Sequence, residues 1–245
     1  MGTVSLIFAF LAFSYVASFP PQPDPANTGL YTRSHKQITS NAIKRAAVEF
    51  IRWKNLTDTD KMSGSEVYKN YFGTDGDSLQ LFLSTIDSIV GYGNRIQKEM
   101  KSTAYYHVNG EQIEEAHNFV RSTLKSIKEV SSSTPVDLEF IREKLGHMIY
   151  TIQSFYSNTN YVNLFGDQEY SDFGMENVTL LPVSAASTHT CKDCPDDEDS
   201  YNKGLCENNL ESKTELTSGY MSGQDIKKPT ALIKISSPIG SYVII

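Results

Sequence analysis

The chain has 245 residues and a formal net charge of −7 at neutral pH. This acidic balance, with no block rich in lysine and arginine, argues against nucleic acid as a partner, because phosphate binding needs a basic surface. It disfavours anionic membranes for the same reason. The length is enough for one substantial domain with its own core and a smaller appendage.

Residues 1–18 read MGTVSLIFAFLAFSYVAS, an uncharged apolar run followed by small residues. This pattern is typical of a secretory signal peptide. An N-terminal membrane anchor is the alternative, but the run is shorter than the roughly 20 apolar residues that span a bilayer. We therefore predict a secreted, extracellular chain without stable membrane insertion.

Two glycosylation sequons occur in the chain, Asn55-Leu-Thr and Asn177-Val-Thr. A sequon has meaning only in a chain that enters the secretory pathway, which the predicted signal peptide provides. We predict glycans at Asn55 and Asn177.

Helical patterning begins after an extended, proline-rich lead-in at 19–33, because prolines oppose a helix. Ser34 and Gln37 form a capping-box pattern, and apolar residues at helical spacing predict a first helix that ends near Trp53. A short helix over 65–71 and a turn at 74–77 should follow.

Two further amphipathic patterns begin near Ser78 and Glu111. The first is disturbed by Gly91 and Gly93, and the second ends in the triple serine at 131–133. These patterns are typical of neighbouring antiparallel helices in an all-α bundle.

The next helix has the clearest start signal. Thr134, Pro135 and Asp137 suggest the N-cap, the first helical position and a carboxylate near the positive helix end. The broad apolar stripe that follows should reach roughly Asn158.

Beyond Asn160 the periodicity is lost. We predict a helical domain at 34–190, in which 161–190 is loop-like, then a cysteine-containing acidic loop region at 191–228. The tail at 229–245 changes abruptly in composition and is predicted to be divergent and disordered.

Three segments together resemble one family. SHKQITSNAI from Ser34 is similar to T-H-x-x-I-T-x-x-A-I, and LGHMIYTIQSFYSNTNY from Leu145 is similar to L-G-x-x-L-H-x-x-Q-D-F-Y-S-H-S-N-W. The third runs from the C-x-x-C pair at Cys191 to L-T-S-G-Y at 216–220. They resemble the N-terminal region of the von Willebrand factor A domain-containing protein 7 family.

That family region is related to the heterokaryon-incompatibility C (Het-C) proteins and, more distantly, to the helical zinc-dependent phospholipase C and nuclease fold. The resemblance implies an all-α helical bundle of this fold, with a loop-rich, cysteine-containing C-terminal part. In longer relatives this region precedes a von Willebrand A module. No D-x-S-x-S signature of that module occurs here.

The resemblance also implies where zinc ligands would stand. Two histidines match ligand histidines, an asparagine replaces an aspartate, and one helix face carries Tyr, Ser and Asn in the places of His, Asp and His. A hydrolytic zinc site needs at least three protein ligands and usually a carboxylate. We predict a metal-free site without catalytic residues or cofactor. The vestigial ligand positions are His35, His107, Asn109, Tyr150, Ser154 and Asn158.

The remaining polar residues have simpler interpretations. Tyr150 should fill the space of a metal, with its hydroxyl paired to Ser154, Asn158 or a surviving histidine. His117, beside two glutamates on a patterned helix, is predicted to be a solvated surface residue.

The three cysteines are an odd number for a secreted chain, which implies a free or intermolecular thiol. One intrachain disulfide should join Cys206 to Cys191 or Cys194, and the remaining thiol could link two chains into a dimer. The resemblance implies a fourth cysteine in relatives, so we expect a truncated form lacking the von Willebrand A module, a splice variant or an imperfect gene model.

These features predict a secreted interaction module, a pseudo-enzyme whose partner is an unknown extracellular protein. One alternative is a zinc-dependent phosphoesterase that retains a partial metal site built from His35, His107 and unrecognised carboxylates. Another is a non-functional fragment that is degraded.

Overall fold

The computed structural model describes residues 34–56, 62–74, 76–185 and 214–219. The predicted signal peptide, the lead-in, the three cysteines and the tail lie outside these ranges. The described residues form α-helices, a 3-10 turn and irregular segments and no β-strand, which confirms the all-α class. No helix in the described ranges has both the length and the apolar character needed to cross a membrane. The helices are α1 (His35–Trp53), α2 (Gly64–Phe72), α3 (Asp77–Glu99), α4 (Ile113–Ser131), α5 (Leu138–Asn158) and α6 (Tyr161–Phe165), with a 3-10 turn at Ala104–His107.

The start of α1 agrees with its sequence pattern. The Gln37 N–H donates to the Ser34 hydroxyl at 3.3 Å, and the Ser34 N–H donates to the Gln37 side chain at 2.9 Å. This reciprocal pair satisfies donors that the first helical turn leaves without intrahelical partners. The predicted capping box and the end at Trp53 are confirmed.

The start of α5 differs from the prediction. Asp137 is the N-cap, and its carboxylate accepts the N–H of Phe140 at 3.0 Å. The assignment of Thr134 as N-cap and Pro135 as first helical position is wrong. The carboxylate caps the helix later because the preceding residues form a turn, in which the Ser133 hydroxyl donates to the Pro135 carbonyl at 3.0 Å.

Helix α3 runs without a break through both of its glycines. Its Gly93 meets Gly146 of α5, and a Cβ on Gly93 would lie 3.1 Å from the Gly146 carbonyl oxygen. A Cβ on Gly146 would lie 2.7 Å from the Cβ of Tyr92. Gly93 therefore belongs to a close helix crossing that sets the spacing of α3 and α5.

The main core lies between α4 and α5. Phe155 is fully buried at its centre, and its ring stacks on Phe173 at a centroid distance of 4.3 Å. Phe173 comes from the irregular segment after α6, so this loop closes one side of the core. A smaller apolar cluster joins α1 to α2 through Val48, Ile51 and Val67.

The segment 214–219 is part of this domain. Leu216 is fully buried, and its N–H donates to the Pro182 carbonyl at 2.7 Å. The N–H of Gly219 donates to the Asn158 carbonyl at the end of α5 at 2.9 Å. The sequence analysis places this segment in the loop region 191–228, whereas here it completes the packing of the helical domain.

Candidate functional site

The fold brings His35 and His107, the two histidines that match ligand histidines of the resembled family, next to one tyrosine. His35 begins α1, His107 ends the 3-10 turn, and Tyr150 lies in the middle of α5. The Tyr150 ring centroid lies 4.9 Å from that of His35 and 5.6 Å from that of His107. Residues that are far apart in the chain therefore meet in one place.

Both ring nitrogens of His107 have partners. Its Nε2 lies 3.1 Å from the Met100 carbonyl oxygen, which can only accept, so Nε2 carries the proton. Its Nδ1 then accepts the Tyr150 hydroxyl at 2.8 Å. This contact confirms the predicted pairing of Tyr150 with a surviving histidine. Burial lowers the pKa of His107, so the buried ring is neutral near pH 7.

Tyr150 is a neutral phenol. Burial raises the pKa of Tyr150 to about 12, while hydrogen bonds with Ser154 and Gln97 oppose this rise. A phenol must lose its proton to become a strong metal ligand. Tyr150 therefore serves as a hydrogen-bond donor that fills the space between the two histidines.

His35 belongs to a second set of hydrogen bonds. Its Nδ1 lies 2.5 Å from the Gln153 side-chain oxygen, and the Gln153 amide donates to the Thr39 hydroxyl at 2.9 Å. Burial lowers the pKa of His35 to about 4, and the neighbouring His107 contributes. His35 is thus also neutral near pH 7.

Gln153 and Thr39 were missed as site residues in the sequence reasoning. Gln153 lies three residues after Tyr150, and Thr39 lies four residues after His35, so each shares a helix face with a site residue. Both also stand in the two segments that carry the family resemblance. That combination is the signal that could have found them.

The other residues that the sequence analysis names as vestigial ligand positions lie close to this group, and two of them bond to the surrounding backbone. The Asn158 amide donates to the His107 carbonyl at 2.7 Å and so ties the 3-10 turn to the end of α5. Asn109 is buried two residues after that turn, and its N–H donates to the Ala104 carbonyl at 3.1 Å. Ser154 is buried one turn after Tyr150.

This donor set does not fit zinc. His107 has no ring lone pair left, because Nε2 is protonated and Nδ1 accepts the Tyr150 hydroxyl. His35 uses one nitrogen on Gln153. In the described part of the chain, no three His, Cys, Asp or Glu side chains lie close enough to share a metal.

Two other histidines are buried. His117 is only 3% exposed, and its Nδ1 accepts the N–H of Gly174 at 2.9 Å, so its assignment as a surface residue is wrong. The reason is that the loop after α6 covers this face of α4. His147 is buried edge-on against Tyr92 and Tyr106.

Both sequon asparagines are accessible. Asn55 and Asn177 are exposed and have positive φ values of 50° and 61°, in the left-handed region that asparagine adopts more readily than most residues. Thr57 of the first sequon lies outside the described residues, as do Cys191, Cys194 and Cys206.

Comparisons with known proteins place most of the chain in one group. The family model of the VWA7 N-terminal domain matches residues 62–236. The von Willebrand factor A domain-containing protein 7 of Rattus norvegicus is 25% identical over 168 residues, which cover 67% of this chain and 18% of the rat protein. The protein of that name from Mus musculus is 25% identical over 189 residues, covering 76% of this chain and 19% of the mouse protein.

The chain thus spans under a fifth of the length of the curated relatives that it matches. No solved structure matches it significantly.

Proposed function

The chain belongs to the VWA7 N-terminal domain family, and we propose that it acts as a secreted, non-catalytic interaction module whose own side chains fill a degenerate hydrolase-type metal site. The observation that carries this proposal is the Tyr150 phenol, which donates to His107 and packs against His35. We also propose that this site descends from the metal site of the Het-C and zinc-dependent phospholipase C fold.

The chemistry of the network supports a non-catalytic role. Metal-dependent hydrolysis needs an activated water, and a metal with a nearby carboxylate generates and positions it. The hydrogen-bonded group of His35, Thr39, His107, Tyr150 and Gln153 instead presents two neutral imidazoles, a neutral phenol, an amide and a hydroxyl. Each group is suited to hold its neighbours in place, and none of them carries charge near pH 7.

Secretion rests on separate features. Residues 1–18 have the pattern of a signal peptide, and the sequon residues Asn55 and Asn177 are exposed in turns that an oligosaccharyltransferase can reach. A protein partner in the extracellular space fits the acidic chain, whose charge disfavours nucleic acid and anionic lipid.

Expression of the full chain in animal cells tests secretion and glycosylation. We expect the protein in the medium, with two glycans that glycosidase treatment removes and that Asn55→Gln and Asn177→Gln each reduce by one. Retention inside the cell without glycans would contradict this part of the proposal.

Elemental analysis of the secreted protein tests the non-catalytic role. After dialysis at neutral pH we expect well under one zinc per chain. Stoichiometric zinc that survives dialysis, and that is lost in the His35→Asn/His107→Asn variant, would favour the alternative zinc-dependent phosphoesterase with a partial metal site.

A rescue experiment tests the position of the vestigial site. The quadruple variant Asn109→Asp, Tyr150→His, Ser154→Asp and Asn158→His should gain measurable zinc affinity. Folding in apo form will be weakened, since buried charges without partners cost about 3–5 kcal/mol. A variant that folds and binds no zinc would show that this helix face is not the ancestral ligand face.

A further inference from the structure

The loop after α6 packs on α4 through two adjacent residues. We call residues 166–177 the Phe173 loop. Phe173 is buried, stacks on Phe155 and meets the edge of His117 at a centroid distance of 6.0 Å. Gly174 follows with φ +82°, and a Cβ there would collide with the Val120 side chain. The loop therefore fits against α4 in one close arrangement.

A side chain of α4 bonds the backbone of this loop. The N–H of Gly174 donates to Nδ1 of His117 at 2.9 Å, and His117 is buried. A backbone N–H can only donate, so Nδ1 must hold a lone pair. A protonated imidazole carries hydrogen on both nitrogens and cannot accept this bond. The closed loop is therefore compatible only with neutral His117.

We propose that His117 is a pH-sensitive latch: protonation of Nδ1 at acidic pH breaks the bond to Gly174, and the Phe173 loop leaves α4. Opening exposes the aromatic face of Phe155, which Phe173 covers in the closed form. This inference is independent of the proposed interaction role. The same domain would then also change conformation in an acidic compartment.

Burial and the nearby charges both act on the pKa of His117. Burial is the largest cause that lowers the pKa of His117; Arg121 on α4 adds to it and Glu114 opposes it. On the loop side, Asp172 and Glu176 are exposed. On the α5 side, the Phe173 ring separates His117 from the uncharged Phe155 ring.

The sign follows from the lowered pKa. An opened, solvated His117 titrates near 6.5, whereas the closed form holds the ring neutral to lower pH. The closed loop is therefore stable above pH 6.5 and loses stability as the pH falls below this value. One linked proton raises the opening equilibrium by up to about tenfold per pH unit, or up to about 30-fold at pH 5.

Hydrogen exchange of the full chain measures this opening. The amides of the Phe173 loop are followed by mass spectrometry at about pH 7.5 and about pH 5, after correction for the intrinsic exchange rate. We expect protection of the loop to fall at the lower pH, by up to about 30-fold. Helix α2, which contains no histidine, is the internal reference and should change little.

The matched control is His117→Asn, because the side-chain oxygen of asparagine accepts the Gly174 N–H and does not titrate. Its loop should stay protected at both pH values. A wild-type loop that changes by less than about threefold, or an Asn variant that opens as much as the wild type, would overturn the latch.

A second measurement applies if the variant does not fold. Nitrogen NMR of the wild-type imidazole should show the Nε2–H tautomer above pH 7 and a titration midpoint below 6.5 that coincides with loop opening. A midpoint separate from the opening transition would also overturn the proposal.

Discussion

Replacement of Gly146 by alanine tests the close crossing of α3 and α5. The added Cβ would lie 2.7 Å from the Cβ of Tyr92 and 3.0 Å from the backbone nitrogen of Gly93. Carbon atoms in contact are normally about 3.5–4.0 Å apart, so the helices must separate by about 1 Å. Rotation of a side chain cannot relieve this overlap, because the contacting atoms belong to the helix backbones or lie directly on them.

The expected loss of stability follows from two opposing terms. Overpacking costs about 1–3 kcal/mol, and this site lies at the upper end because backbone opposes backbone. Alanine returns about 0.5–1 kcal/mol through its better helix propensity. The net loss should be about 2 kcal/mol, which lowers the thermal midpoint by roughly 4–8 °C in a domain of this size.

The matched control is Gly91→Ala in the same helix α3. A Cβ at Gly91 meets nothing within 4 Å, so the variant should gain about 0.5–1 kcal/mol from helix propensity alone. Thermal and urea unfolding, both followed by circular dichroism, compare Gly146→Ala and Gly91→Ala with the wild type. Equal midpoints for the two variants would refute the close crossing.

Three further substitutions test individual hydrogen bonds by urea unfolding. Thr151→Val should leave the free energy of unfolding unchanged or raise it by up to about 1 kcal/mol, because the buried Thr151 hydroxyl has no partner among the described residues. A loss of more than about 1 kcal/mol would show that this hydroxyl does have a hydrogen-bond partner. Tyr150→Phe should cost about 1–3 kcal/mol by leaving the buried His107 nitrogen without its donor, and no loss would contradict the bond. Asn160→Ala should cost about 1–3 kcal/mol, since its side chain accepts the Thr217 N–H at 2.9 Å, and faster proteolysis near 214–219 should accompany it; unchanged proteolysis would mean that this segment is held by other contacts.

Helix positions followed from the sequence because their signals are local. The capping box at Ser34 and the apolar stripes placed α1, α4 and the end of α5 within a few residues. The start of α5 was misplaced because Thr134-Pro135 and Asp137 both resemble a helix start. Only the path of the preceding turn decides between them.

Features that depend on a distant partner were missed. Gly93 looks like a defect until Gly146 is known to face it, and His117 looks exposed until the Phe173 loop covers it. The burial of Leu216 has the same origin, since its partners lie across the domain. Sequence spacing along one helix contains no information about which element packs on that face.

The structure brings His35, His107 and Tyr150, three of the residues named from the family resemblance, into one place. The resemblance could not give the hydrogen bonds among these three residues, because tautomers and side-chain rotations depend on the whole surrounding structure. Gln153 shows this limit: it occurs in the matching segment, yet its bond to His35 appears only when α1 and α5 are packed.

The central claim is that these histidines are neutral, hydrogen-bonded side chains and are not zinc ligands. Nitrogen NMR of the His35 and His107 imidazoles, with and without one equivalent of zinc, tests it most directly. We predict a pKa of about 4 for His35, an Nε2–H tautomer for His107, and no change in either ring when zinc is added at neutral pH. Stoichiometric shifts of both rings on addition of zinc would contradict the account.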